Sequence, residues 1–142
     1  RLGDMKAARD FYQRGLKKCP KCAALWIGAA ALEEKAFGAT RARSVLELAR
    51  SRNKGTPSLW LAAMRLERRH GHQKLAENLQ AKALQECESS GELWADCIST
   101  APRPARKGKS LEALKRCANA ARVLDAFGAL LVAAHPLRTA RA

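Results

Sequence analysis

The chain has few aromatics, few acids and no long apolar run. Aromatics make up 5% of its 142 residues, too few to supply the stacking platforms used by sequence-tolerant single-strand binders. Asp and Glu number 13 against 27 Lys and Arg, a formal net charge of +14. A balance of that sign favours polyanions or acidic protein partners and carries no information about fold. No stretch of about 18 consecutive apolar residues occurs, so no membrane span is expected. No Asn-x-Ser/Thr acceptor occurs, and the cysteines, Cys19, Cys22, Cys87, Cys97 and Cys117, are odd in number. Both features suit a reducing compartment. No segment alternates apolar and polar residues with period two, so no strand is expected. No leader pattern opens the chain. Arg1-Leu2-Gly3-Asp4 instead reads as the middle of a repeat, so the chain is expected to be an excerpt of a longer array. Its cut ends are expected to favour self-association.

The usual signatures of chemistry are also missing. Cys19-Pro20-Lys21-Cys22 has zinc-ligand spacing, but no second Cys pair or His pair follows to close a four-ligand site. Gly108-Lys109-Ser110 resembles the tail of a phosphate-binding loop, yet Arg103 stands where the loop's first glycine belongs and no strand precedes it. His70, His72 and His135 sit near expected helix ends, and His70 and His72 point to different helix faces. No Ser/His/Asp or Cys/His arrangement suggests a nucleophile. These residues imply no catalytic site, no metal and no cofactor, and the chain is not expected to be an enzyme.

What the sequence does contain is a ruler. Its only tryptophans, Trp26, Trp60 and Trp94, each follow a leucine and lie 34 residues apart. A second column keeps the same step: Ala8, Ala42, Ala76 and Ser110, all small. Three residues on from each stand Phe11, Val45, Leu79 and Ala113. Seven residues on stand Gly15, Ala49, Ala83 and Cys117. Offsets of zero, three and seven share one helix face. A fixed period of this size marks a stacked helical repeat. The fold expected is all-α, a right-handed superhelical solenoid of antiparallel helix pairs, each pair made of one Trp helix and one small-residue helix. The divisions expected are a partial repeat at 1–20, repeats at 21–54, 55–88 and 89–118, and a degenerate unit at 119–142.

Helices are expected at 4–18, 23–36, 41–52 with Thr40 as N-cap, 57–70, 73–87, 91–101, 109–118 and 120–134. Gly55-Thr56-Pro57 is the clearest junction, with Thr56 as cap and Pro57 at the first helical position. Pro102 and Pro104 are expected to end the third Trp helix and to open a basic loop over 102–109.

Seven residues after Trp26 stands Glu33, and seven after Trp60 stands Glu67; Ala8-Arg9 and Ala42-Arg43 open the second helices. This combination resembles the HAT (half-a-TPR) repeat found chiefly in RNA-processing proteins. Leu32-Glu33-Glu34-Lys35, Thr40-Arg41-Ala42-Arg43, Ala81 through Cys87, and Arg103 through Ser110 with Ala113-Leu114-Lys115 are similar to the C-terminal HAT region of a family of splicing scaffolds. That resemblance implies a nuclear protein–protein interaction scaffold that bridges proteins of the U5 snRNP and the U4/U6-U5 tri-snRNP. HAT scaffolds of mRNA 3′-end cleavage or ribosomal-RNA processing are the alternative. Two departures from the pattern stand out: Ala101 takes the Glu column after Trp94, and Glu77 takes the Arg column in the second helix after Trp60.

Trp26, Trp60, Trp94, Ala8, Ala42, Ala76, Ala49, Ala83, Glu33 and Glu67 are therefore expected to build the repeat core. Phe11 and Tyr12 should be partly exposed. Glu33 and Glu67 should pair with an arginine such as Arg43. The open functional signal is the basic residues. Arg41, Arg43, Arg50 and Arg52 form one group, and Arg103, Arg106, Lys107 and Lys109 another. Each is readable as a solvated face, an electrostatic contact with RNA phosphates, or a dock for an acidic protein. The protein reading is favoured because solenoids present extended concave surfaces.

Overall fold

The structure is a computed structural model and describes residues 2–117. The expected helix at 120–134 and the unit 119–142 lie outside these residues. The described residues form seven helices and no strand: α1 (Leu2–Lys18), α2 (Ala23–Phe37), α3 (Ala39–Arg52), α4 (Pro57–Arg69), α5 (Gln73–Glu86), α6 (Gly91–Thr100) and α7 (Arg103–Arg116). The three tryptophans fall on α2, α4 and α6, and the small-residue columns on α1, α3, α5 and α7.

Two compact units divide the chain, Arg1–Lys82 and Ala83–Ala142. In the first, α1 packs on α2, α2 on α3 and α3 on α4, and α2 also reaches α4, the next Trp helix. Ala42, Ala49 and Ala76 are wholly buried, and Ala8, on α1, is half-buried. Because these residues carry only a methyl group, the neighbouring helix can approach closely. Ala30, Ala42, Leu46, Ala63 and Leu66 form one core cluster, which Leu79 joins. Trp26, Ala49 and Leu59 form another, flanked by Leu16, Ile27 and Val45. In the second unit α6 packs on α7, and Trp94, Ile98, Ala113 and Cys117 close a core against Leu84. Ala83 and Ser110 are wholly buried. The Ser110 hydroxyl donates to the Arg106 carbonyl at 2.8 Å, so the one polar member of the column is satisfied within its own helix.

Helix ends follow local chemistry. Gly38 (φ 94°) closes α2, its N–H donating to the Glu34 carbonyl, and at once precedes α3. Thr40 is therefore not the N-cap; with no linker between the helices, it already lies inside α3. Thr56 does occupy the N-cap of α4, with Pro57 in the first turn, although its side chain makes no capping bond. Beyond α4, the Gly71 N–H donates to the Arg68 carbonyl and the His72 N–H to the Glu67 carbonyl. With Gly71 at φ 77°, this is a Schellman closure. At α6 the Ser90 hydroxyl accepts the Leu93 N–H.

The largest difference from expectation is at 102–109, which is no loop. Helix α7 begins at Arg103 and runs 14 residues, so the anticipated short helix at 109–118 starts six residues earlier. Pro102 is its N-cap and Pro104 lies in its first turn, where a missing N–H leaves no helical bond unmade. Cations near a helix N-terminus oppose its dipole. Arg106 offsets this by turning back to the end of α6, donating from Nε to the Ala101 carbonyl at 2.9 Å and from a terminal nitrogen to the Ser99 carbonyl at 3.3 Å.

Candidate partner-binding groove

The tryptophans lie under the surface. Trp26, Trp60 and Trp94 are 4%, 8% and 3% exposed, which leaves no indole face open for a base to stack on. Trp26 Nε1 donates to the Pro20 carbonyl at 2.8 Å, and Trp94 Nε1 to the Glu88 carbonyl at 2.7 Å. In both, the acceptor is six residues upstream, in the turn before the helix, so each indole pins its own helix start. The Pro20 carbonyl also accepts from Asn53 Nδ2 at 3.0 Å, which ties the end of α3 to the same turn. Arg50 lies over the Trp60 ring at 4.3 Å and Arg52 beside the Trp26 ring at 6.0 Å.

The Glu column is buried and held by arginines one repeat apart. Glu33 is 8% exposed and Glu67 1%. Arg9 Nε reaches Glu33 at 2.9 Å, and Arg43 Nε reaches Glu67 at 2.5 Å. The Arg43 fork is completed at 3.0 Å on the second Glu67 oxygen, which His72 Nδ1 also meets at 2.9 Å. Donation from Arg43 is the main cause that holds the Glu67 carboxyl below its ordinary pKa, and the same pair raises that of Arg43. A buried carboxylate is tolerable only with such donors, because its desolvation is otherwise uncompensated. Beside this column, Arg69 and His70 on the α4 end bond both oxygens of Glu34 in α2, at 2.7 Å and 2.9 Å. Arg69 chiefly lowers the pKa of Glu34. These ties stitch successive Trp helices of the first unit together.

Above Glu33 opens a groove of about 570 Å³ between α1, α2 and α3. Four cations line it, Arg9, Lys17, Arg41 and Arg52, against the one carboxylate of Glu33. Arg41 also approaches Glu33, at 3.7 Å, and its guanidinium lies 4.1 Å from the centre of the Phe37 ring; that of Arg9 lies 5.4 Å from the same ring. Leu16, Val45 and Leu48 add apolar side chains to the groove's lining. Phe37 and Leu48 are 55% and 45% exposed.

The basic residues singled out in the sequence thus have different surroundings. Arg41 and Arg52 line the groove. Arg43 is engaged with Glu67, and Arg50 lies against Trp60. Arg106 binds the α6 carbonyls, and Lys109 Nζ lies 3.5 Å from the buried Cys97 sulfur. Arg103 and Lys107 project into solvent from α7. Phe11 is 63% exposed, and Tyr12 is half-buried and meets it edge-on at 5.7 Å. Arg9 and Lys17 went unrecognised as groove residues. The step of 34 from Arg43 back to Arg9, and from Glu67 back to Glu33, was the available signal. Cys19 is exposed and Cys22 half-buried. Among the described residues, no group of three His, Cys, Asp or Glu side chains could hold a metal ion, and no helix is long and apolar enough to cross a membrane.

Paired helices, a buried tryptophan column and an ion pair recurring at the repeat step define an α-helical repeat protein. Comparison with known proteins narrows this class. The chain is homologous to pre-mRNA-splicing factors: it is 39% identical over 127 residues to Pre-mRNA-splicing factor prp1 of Schizosaccharomyces pombe. It is 29% identical over 132 residues to Pre-mRNA-splicing factor 6 of Saccharomyces cerevisiae. Each match takes in 89% of the chain, and the chain spans 14% and 15% of the lengths of those two relatives. No family model matches the chain.

Proposed function

We propose that the chain is a protein–protein interaction scaffold in pre-mRNA splicing. It works in the nucleus, bridges proteins of the U5 snRNP and the U4/U6-U5 tri-snRNP, and performs no catalysis itself. The observation that carries this reading is the homology to two splicing factors over 89% of the chain. The architecture supports it. Stacked helix pairs tied by buried ion pairs hold a surface rigid, and repeat proteins use such surfaces to grip extended partners.

The test is affinity capture from nuclear extract on the immobilised chain, with and without ribonuclease, followed by mass spectrometry. Retention of U5 and tri-snRNP proteins after ribonuclease is the expected result. Retention of 3′-end-cleavage or ribosomal-RNA-processing factors instead would move the scaffold to another particle. Complete loss of captured protein after ribonuclease would replace the protein scaffold with direct RNA binding.

A further inference from the structure

We infer that the groove between α1, α2 and α3 is a docking site for an acidic, extended peptide segment of a protein partner, one that alternates carboxylate and aliphatic side chains. The inference rests on the scaffold reading above and names the chemistry of its partner. Three observations converge on it.

The first is charge. Arg9, Lys17, Arg41 and Arg52 face one carboxylate, Glu33, a net charge of +3 in one concavity. Glu33 cannot serve them all: its side chain is 10% exposed and already takes Arg9 and Arg41. It does hold those two guanidiniums at fixed positions while leaving their side chains 42% and 53% exposed. A pre-positioned guanidinium matches a carboxylate geometrically and loses little freedom on binding.

The second is the apolar lining. Leu16, Val45 and Leu48 share the groove with the cations, and Leu48 is 45% exposed. A purely polyanionic ligand would neutralise the rim and leave these side chains uncovered. A segment with an aliphatic residue between its acids buries both. The volume, about 570 Å³, lies within the range of clefts that enclose most of a small ligand.

The third observation separates peptide from nucleic acid. Single-strand binders without sequence preference combine cations with open aromatic faces. The groove's aromatics are Trp26 and Tyr12. Trp26 is 4% exposed and tied through its indole nitrogen. The Tyr12 ring is pressed onto α2, where a Cβ added at Gly28 would sit 2.6 Å from it. Neither offers a base a free face.

Fluorescence anisotropy on the 142-residue chain tests the inference with three probes: a labelled peptide of alternating glutamate and leucine, its glutamine counterpart, and an oligouridylate of matching charge. The glutamate peptide should bind most tightly. The double variant Arg41→Glu with Arg52→Glu should weaken it by at least roughly tenfold, since like charge then faces like charge. Arg103→Glu with Lys107→Glu changes net charge equally, outside the groove, and should alter binding by less than about twofold at physiological salt, where distant charges are screened. A thermal melt checks that each variant is folded, and Arg41→Gln with Arg52→Gln substitutes if the reversal is not. Equal binding of the glutamine peptide would overturn the inference. So would tighter binding of the oligouridylate through the same two arginines, or equal losses from the two charge reversals. If the peptide fails while ribonuclease-resistant capture of splicing proteins persists, the groove assignment falls and the scaffold stands. If the capture itself fails, the scaffold reading falls.

Discussion

The α4 repeat and the α6 repeat solve the same packing problem with different chemistry. Both bury a tryptophan one turn into the helix, and both follow it with apolar side chains, Met64 in α4 and Ile98 in α6, each at 2% exposure or less. They part seven residues after the tryptophan. Helix α4 places Glu67 there, almost wholly buried, and takes Arg43 and His72 as its donors. In α6 the position is Ala101, just past the last helical residue; its N–H donates to the Ile98 carbonyl and its own carbonyl is left to a side-chain donor. Arg106 supplies the donor to that carbonyl. An arginine serves in both cases, but the carboxylate version fixes two helix pairs against each other whereas the carbonyl version only finishes one helix. In both repeats the buried tryptophan anchors the helix pair, whereas the Glu67–Arg43 tie in the first unit also joins one helix pair to the next.

The largest expected effect is loss of an indole. Trp60→Ala and Trp94→Ala should each cost about 3–5 kcal/mol in chemical denaturation, from lost burial and the cavity left behind. If Trp60→Ala were as stable as the parent, the column would not be structural, and both halves of the comparison would fail.

Removing the acid comes next. Glu67→Ala should cost about 2–4 kcal/mol, because it strands Arg43 and His72 as well as emptying the site. The pH dependence should match. Donation from Arg43 to Glu67 and from Arg69 to Glu34 holds the folded-state pKa of each carboxyl below that of a free carboxyl. Their contribution to stability is therefore complete above about pH 4.5 and is lost as pH falls through the depressed folded values. Melts followed from pH 6 downward should show a steeper decline for the parent than for Glu67→Ala with Glu34→Ala. Parallel curves would mean that these carboxylates do not carry the acid sensitivity.

Arg106→Ala sharpens the other side of the comparison. It should cost about 1–2 kcal/mol, since a charged donor leaves the Ala101 and Ser99 carbonyls. Lys107→Ala, one residue on and exposed, should fall within about 0.5 kcal/mol of the parent. Equal effects would show that Arg106 acts only as surface charge. The smallest effect is kinetic. With an exposed Cys19 and a buried Cys97 whose pKa is raised chiefly by burial, native thiol labelling should modify Cys19 first and Cys97 slowly. Rapid labelling of Cys97 would indicate that the α6–α7 core opens readily.

Much of this fold was legible because a repeat writes its packing into the sequence several times. Three tryptophans and four small residues at one step placed six of the seven described helices to within two or three residues. Period says less about anything that occurs once. Pro102 and Pro104 read as breakers beside a basic run, yet proline in a first turn is compatible with helix, and Arg106 finds carbonyls that no pattern of side chains announces. The Pro20 and Glu88 carbonyls that accept the indoles are backbone atoms and leave no trace in composition. The groove was half-visible. Arg41 and Arg52 stood out as charge, but the concavity exists only once α1 brings Arg9 and Lys17 opposite them.

A polar tie recurring at the repeat step couples successive helix pairs, and a double-mutant cycle on Arg43 and Glu67 measures that coupling. Stabilities of the parent, Arg43→Ala, Glu67→Ala and the double variant should give a coupling energy of about 1–3 kcal/mol, as expected for a buried, forked pair. The same cycle on the exposed pair Arg116 and Glu88, 3.3 Å apart, should give no more than about 0.5 kcal/mol. Additive losses at Arg43 and Glu67, indistinguishable from those of the surface pair, would show that the buried tie does not couple the helix pairs.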